Sequence, residues 1–255
     1  MKYDLVDGFR EYLKKSLQPS TARTYANRME LLLADQSLLS NQIDIENIIN
    51  NLSTIKYENY FSQSKNALFY FLKYKNISLP NEKLEEIEKL KYNTSKKYRK
   101  QKLIDFPKIN KKIKYLRNNK MKLSFETMLN TGLRVSELSQ IKKKDCTINN
   151  DSIIFLFEGK GGDMENITLY KKDNKKLFNV LKSHIEKKAV NDKLFYSAPY
   201  LQKQAEKLDF SCHDLRRIFA KQEYQKTKSK IEVMKKLRHE NIETIEIYLN
   251  SKVKF

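Results

Sequence analysis

The segment FSCHDLRRIFA, residues 210–220, places two candidate functional side chains within a helical pattern. Asp214 stands near the expected start of that helix, where its negative charge suits the helix dipole. His213 and Arg216 are three residues apart and therefore share one face of the helix. A phosphodiester would satisfy both groups, and so would a nearby carboxylate, which is the commoner arrangement for an isolated pair. The apolar stripe that predicts the helix consists of Leu215, Ile218 and Phe219.

The charge of the chain points to a polyanionic partner. In 255 residues, 51 Lys and Arg stand against 31 Asp and Glu, which gives a net charge of +20. Such an excess of positive charge favours nucleic acid as the partner, although a genome whose proteins are generally rich in Lys would produce the same excess. Hydrophobic residues make up 40% of the chain, which argues against disorder and fits one large or two modest domains.

The sequence predicts a cytoplasmic protein associated with the nucleoid and not with a membrane. Its longest apolar run, residues 153–157, is far too short to cross a bilayer. The first residues mix charges with apolar side chains, so no signal peptide is expected. Cys146 and Cys212 follow no pairing or metal-ligand spacing, and the simplest interpretation is two reduced thiols.

The chain divides into two parts at a basic stretch. Residues 1–92 show helical periodicity throughout and predict an all-α domain. Residues 93–103 carry no apolar period and predict an interdomain linker, which is either a solvated loop or a basic strap on phosphates. Residues 104–255 form the second predicted domain. The linker residues predicted to contact DNA are Lys96, Lys97, Arg99 and Lys100.

The second domain is predicted to be mostly helical with one β-hairpin. Helices lead to a stop at Gly132, and another begins near Val135. The runs SIIFLF (152–157) and MENITLY (164–170) have β-type composition, and the glycine-rich residues between them predict a turn. Helices are expected from Asn174 nearly to the end.

Four separate places in this domain carry residues that suit phosphate chemistry. Each has an ordinary structural interpretation: Arg134 could pair with Glu137, Lys160 could be a solvated turn residue, and Tyr248 could be a core aromatic. Taken together, arginines, a lysine, histidines and a tyrosine are what metal-free phosphodiester transfer requires. No HExxH, clustered carboxylates or Cys/His spacing suggests a metal, so neither metal nor cofactor is expected.

These motifs resemble those of the tyrosine recombinases of the phage-integrase and Xer type. TGLRVSEL (131–138) is similar to the first arginine motif, with Arg134 and the supporting Glu137. The glycine-flanked lysine of a β-hairpin corresponds to Lys160, and HDLRR corresponds to the HxxR motif. The segment from Leu237 to Tyr248 resembles the family's last motif. It contributes His239, Thr244 and Tyr248.

The resemblance implies a mechanism and a role for each of these residues. Tyr248 would attack the scissile phosphate, giving a 3′-phosphotyrosyl link and a free 5′-hydroxyl. Lys160 would protonate the leaving oxygen. Arg134, Arg216 and His239 would bind the phosphate, and His213 would help to manage the tyrosine proton. Arg217 and Arg238 would contact DNA.

The resemblance also implies an architecture and partners. The expected fold is mainly α with a small β-sheet, arranged as a two-domain C-shaped clamp of a helical core-binding domain and a catalytic domain. The expected partners are duplex DNA with paired inverted sites, a homo-tetramer holding two DNA sites through a Holliday junction, and an accessory directionality factor. The alternatives are a nicking-closing enzyme of the type IB topoisomerase kind and a non-catalytic DNA-binding regulator.

The sequence departs from the family pattern at three points. Arg238 stands where relatives usually have glycine, which puts a left-handed helix end in doubt or adds a phosphate contact. The residues after Lys160 lack the usual basic side chains. Seven residues follow Tyr248, so a tail reaching a neighbouring subunit is in doubt, and no additional N-terminal arm-binding domain is expected.

Overall fold

The structure is a computed structural model that describes residues 2–34, 43–55, 57–92, 103–159, 162–239 and 241–255. The chain forms two compact units, Met1–Tyr98 and Arg99–Phe255. Lys160 and the predicted linker contacts Lys96, Lys97, Arg99 and Lys100 lie outside the described residues.

Every described secondary-structure element of the first unit is a helix. Its buried core is mainly aliphatic, and within it the rings of Phe9 and Phe71 meet edge to face with centroids 5.3 Å apart. This geometry suits the opposite charges of a ring's edge and face. The helices are α1 (Lys2–Lys14), α2 (Pro19–Leu32), α3 (Ile45–Ser53), α4 (Glu58–Tyr74) and α5 (Asn81–Lys89).

The second unit packs eight described helices around a small antiparallel sheet with strand order β2-β3-β4. A separate parallel pair joins β1 to β5. The strands are β1 (Ile104–Asp105), β2 (Cys146–Ile148), β3 (Ser152–Glu158), β4 (Met164–Tyr170) and β5 (Val253–Lys254). The helices are α6 (Phe106–Lys114), α7 (Asn119–Thr131), α8 (Val135–Gln140), α9 (Lys175–Glu186), α10 (Ala198–Lys207), α11 (Cys212–Thr227), α12 (Lys230–Leu237) and α13 (Ile242–Leu249).

The mainly α fold class with a small sheet is confirmed, and so is the β3–β4 hairpin. Strand β2 was not predicted, because three residues are too few to show a period. The helices run nearly to the end, as expected, and the short strand β5, which was not predicted, follows α13 and pairs with β1 of the same unit. Within the described residues, no helix is long and apolar enough to span a membrane.

Gly132 ends α7 in the left-handed conformation, with φ 68°. A Cβ atom at this position would lie 2.5 Å from Phe219 Cδ1 and 2.9 Å from Leu237 Cδ2. Glycine therefore serves both the positive φ and the close approach of α11 and the end of α12. Two residues after this junction, Arg134 lines one cleft together with His213 and Arg216 of α11.

Candidate active site

Tyr248 lies on α13 with its hydroxyl 2.9 Å from Nε2 of His213 on α11. Its ring centroid lies 5.1 Å from those of both His213 and His239. Only 5% of Tyr248 is exposed, because the residue also packs into the cluster formed by α11, α12 and α13. The tyrosine is thus both a core residue and the partner of a histidine.

Arg216 is buried beside the end of α7 and the end of α12, with 1% of its surface exposed. One terminal nitrogen donates to the carbonyl of Gly132, and the other donates to the carbonyl of Leu237 at 2.5 Å. These bonds fix the guanidinium between two helix ends. Its Nε is buried and has no hydrogen-bond partner among the described residues.

Glu137 on α8 is the carboxylate around which the arginines gather. One oxygen accepts from the backbone N–H of Arg134 at 2.7 Å, and the other pairs with the Arg134 guanidinium. Nη2 of Arg238 lies 2.8 Å from Glu137, and Nη1 of Arg216 lies 4.0 Å from it. The side chain of Glu137 is 3% exposed, so water screens these charges weakly.

Burial and charge shift the pKa values of this cluster. Burial alone would raise the pKa of Glu137, but the Arg134 N–H bond and the charge of Arg238 outweigh it and lower the pKa. Burial and the nearby charge of Arg134 lower the pKa of Arg216 to about 10. At neutral pH the cluster therefore keeps an ionised carboxylate among charged guanidiniums.

Both site histidines are held in the neutral form. Desolvation, followed by the charges of Arg217 and Arg216, lowers the pKa of His213 to about 4. His213 is also exposed to solvent, so water screens part of this effect. Desolvation and the charges of Arg216 and Arg134 lower the pKa of His239 to about 4. A neutral His213 can accept a proton from Tyr248 when its own proton is on Nδ1.

Arg238 keeps the left-handed helix end that the sequence put in doubt, with φ 53° and ψ 51°. This conformation costs a non-glycine residue about 1–2 kcal/mol. Its Nε lies 2.7 Å from Oε2 of Glu165 on β4, an ion pair that is not aligned as a hydrogen bond. The guanidinium carbon also lies 4.9 Å from the ring centre of Phe157.

A cleft of about 510 Å³ opens beside this cluster. Arg134, His213 and Arg216 contribute to its wall. The rest of the lining comes from Val135, Ser136, Gln202, Glu206, Ser211 and Cys212. Burial raises the pKa of the Cys212 thiol to about 12, so this thiol is protonated at neutral pH.

The remaining predicted residues lie around this centre. Arg217, expected to contact DNA, pairs with Asp214 at 3.1 Å. Thr244 is half-buried on α13, and its backbone N–H bonds to the carbonyl of Asn241. Glu165 was not predicted from the sequence. Glu165 lies opposite Phe157 in the hairpin, and this pairing is known only from the structure.

Comparisons with known proteins identify the family of this chain. The model of the phage integrase family matches residues 96–254. The tyrosine recombinase XerA of Saccharolobus solfataricus is 32% identical over 154 residues, which cover 58% of this chain and 51% of that protein. The chain thus spans about half the length of this curated relative.

Solved structures of the same family share the fold. The XerH site-specific recombinase bound to a palindromic difH substrate, in a post-cleavage complex, has a TM-score of 0.64 and 22% identity, covering 92% of this chain and 76% of that one. Lambda integrase (75–356), as a dimer bound to a COC′ core site, has a TM-score of 0.67 and 16% identity, covering 98% and 95%. At these identities the likeness concerns the fold alone. The family model matches more than half of the length of this chain, and the chain therefore belongs to the phage integrase family of tyrosine recombinases.

Proposed function

We propose that this protein is a site-specific DNA recombinase that cleaves and rejoins duplex DNA through a 3′-phosphotyrosyl intermediate. The observation that carries the proposal is the 2.9 Å contact between the Tyr248 hydroxyl and His213 Nε2, next to the buried guanidinium of Arg216. A phenol beside a neutral imidazole and a fixed cation is an activated nucleophile facing a place for an anion.

The proposed chemistry balances without a cofactor. The Tyr248 oxygen attacks phosphorus, its proton passes to His213 Nε2, and the bond from phosphorus to the 5′-oxygen breaks. Lys160 gives the leaving oxygen its proton. The phosphodiester energy stays in the phosphotyrosyl ester, so a 5′-hydroxyl can reverse the step and rejoin the strand.

Two buried nitrogens support a phosphate at this site. Arg216 Nε and His239 Nε2 have no hydrogen-bond partner among the described residues. Leaving such groups unpaired costs free energy that a bound phosphate oxygen would recover. The two bonds from Arg216 to backbone carbonyls leave its Nε–H and a second hydrogen on each terminal nitrogen for that oxygen.

The larger assembly is proposed from the family. Structures related in fold are recombinases described as bound to DNA, including XerH and lambda integrase. We propose paired inverted sites in duplex DNA, a homo-tetramer acting through a Holliday junction, and an accessory directionality factor. Residues 1–92 would bind the core site, residues 93–103 would follow phosphates, and residues 104–255 would carry the chemistry. The C-shaped clamp around duplex DNA likewise stays a prediction.

A selection followed by a two-duplex reaction tests the proposal. Nicked duplexes with a randomised core trap a covalent complex, because the short strand beyond the break diffuses away. Sequencing the trapped DNA defines a site, and two intact copies of that site are then incubated with the protein. We expect Holliday junctions and exchanged strands. Relaxation of a supercoiled plasmid without exchange would indicate a nicking-closing enzyme, and binding without any covalent complex would indicate a regulator.

A further inference from the structure

Arg238 occupies a backbone position that favours glycine. It caps α12 with φ 53° and ψ 51°, a left-handed conformation that disfavours side chains with a Cβ atom. Glycine would adopt it without strain. An arginine held there indicates that the side chain contributes something that glycine cannot supply.

The guanidinium of Arg238 contacts two carboxylates on separate elements. Nη2 lies 2.8 Å from Glu137 on α8, and Nε lies 2.7 Å from Glu165 on β4. The arginine side chain is 13% exposed, so solvent screens these contacts less than it would at an open surface. Arg238 therefore connects the arginine cluster around Glu137 to the hairpin.

Arg238 contacts the hairpin close to its turn. Phe157 and Glu165 are directly opposed across β3 and β4, and both touch Arg238. The Glu165 side chain also lies across Gly159, where an added Cβ atom would collide with it. Gly159 immediately precedes Lys160 in the chain. The same carboxylate thus contacts Arg238 and the backbone that leads into the lysine.

The charges of the cluster favour this arrangement. Arg134, Arg216 and Arg238 surround Glu137, and Glu165 supplies a second carboxylate. Among these five side chains, one positive charge is left unbalanced.

We propose that Arg238 is a positioning residue that fastens the β3–β4 hairpin to Glu137 and so sets the place of the hairpin lysine relative to the arginine pair. It acts through Glu165 and Glu137 and does not touch the reacting atoms. This inference rests on the proposed function. It assigns Arg238 a task other than the DNA contact expected from the sequence.

Cleavage of two substrates tests the assignment. Arg238→Gly suits the backbone, so the variant keeps its helix end and loses only the side chain. On ordinary DNA we expect cleavage to slow about 10²-fold, the usual effect of a small misplacement of a reacting group. On DNA with sulfur at the bridging 5′ position, whose thiolate leaves without a proton, the rate should approach that of the unmodified protein. Lys160→Ala calibrates this rescue, and Arg117→Gly, an exposed arginine of the same unit, controls for the lost charge.

Hydrogen exchange provides a second readout that does not need activity. Backbone amides of β3 and β4 should exchange faster in Arg238→Gly and in Glu165→Gln, and at the normal rate in Arg117→Gly. Unchanged exchange would overturn the proposal, and so would equal slowing of Arg238→Gly on both substrates. A loss of DNA affinity with normal cleavage would make Arg238 a phosphate contact instead.

These outcomes separate the inference from the proposed function. If the unmodified protein forms no covalent complex through Tyr248, the proposed function fails, while hydrogen exchange still decides whether Arg238 holds the hairpin. If Lys160→Ala is not rescued by sulfur, the proton-donor role of Lys160 fails, and the exchange measurement again decides the role of Arg238.

Discussion

At the scale of single residues, Arg134 and Arg216 hold their guanidiniums in different ways. Arg134 is partly exposed and pairs with Glu137, whereas Arg216 is buried and bonded to two backbone carbonyls. Lysine supplies a point charge and cannot reproduce either fork. We expect Arg134→Lys and Arg216→Lys to lose about 2.7–4 kcal/mol of transition-state stabilisation, with little change in DNA binding.

Single-turnover cleavage and equilibrium binding on the same duplex measure this difference. Because Arg216 is buried, thermal unfolding of its variant has to accompany the kinetics, and the partly exposed Arg134 provides the cleaner comparison. Near-normal cleavage by either lysine variant would show that a fork of donors at that position is unnecessary.

His213 and His239 predict a pH dependence of stability. Their pKa values fall from 6.5 to about 4 in the folded protein. The folded state therefore binds these protons less readily than the unfolded chain, and stability falls as the pH drops from about 6.5 toward 4. Above that window both states carry neutral histidines, and these residues add no pH dependence.

Urea unfolding at pH 7.5 and at pH 5 measures the effect. The unmodified protein should lose more unfolding free energy between these two pH values than the double variant His213→Gln, His239→Gln. The same protonation removes the acceptor for the Tyr248 proton, so cleavage should decline on the acid side as well. An identical loss of stability in both proteins would show that these histidines are not held neutral.

Much of the candidate site could be predicted because its residues lie in short motifs. Arg134, His213, Arg216 and Tyr248 were named because their motifs resemble those of the tyrosine recombinases, and the structure brings these residues together. Glu165 could not be found in this way, because its contact with α12 depends on strand register and on the approach of a distant helix end. The roles of Arg134, His213, Arg216 and Tyr248 in the reaction stay predictions.

At the scale of elements, Gly132 determines how closely α7, α11 and α12 meet. Gly132→Ala would place a Cβ atom against Phe219 and Leu237 at a backbone angle of φ 68°. The left-handed conformation and the overpacking together should lower the unfolding free energy by about 2–4 kcal/mol. The change would also disturb the carbonyl that holds Arg216.

Gly162→Ala is the matched control for this prediction. Gly162 also has a positive φ, 95°, but the nearest atom to an added Cβ is 4.0 Å away. In urea unfolding, Gly132→Ala should therefore cost clearly more than Gly162→Ala. Equal costs would mean that the helix junction tolerates the extra atom.

Elements of four or more residues were predictable, and shorter ones were not. The alternation of β3 and β4 and the apolar stripes of the helices supply a period that can be read locally. The pairing of β1 with β5 joins two-residue strands at opposite ends of the second unit. No local pattern encodes such a pairing, because the two strands lie far apart in the sequence.

At the scale of the whole molecule, the net charge of +20 favours binding that depends strongly on salt. We expect Lys96, Lys97, Arg99 and Lys100 to contact phosphates irrespective of sequence. Each neutralisation should lower the slope of log affinity against log salt by about 0.9, so the quadruple alanine variant should show a much shallower slope. Binding of a short duplex across a salt series measures it. An unchanged slope would make this stretch an ordinary solvated loop.

Charge and motif order predict the class of partner but not the arrangement of subunits. Composition reports an excess of Lys and Arg over the whole chain, and a polyanion is the general consequence. The number of subunits on DNA depends on surfaces between copies of the chain, which a single sequence does not encode in any local pattern. The tetramer and the accessory factor therefore stay predictions.

The most direct test is the chemical identity of the covalent bond between protein and DNA. Protein trapped on a nicked duplex is digested, and the peptide that carries the nucleotide is sequenced by mass spectrometry. We expect the phosphate on Tyr248, joined to a 3′ end with a free 5′-hydroxyl on the other strand fragment, and no complex with Tyr248→Phe although that variant still binds DNA. A linkage to another residue, a 5′ linkage, or a complex that survives Tyr248→Phe would contradict the proposed mechanism.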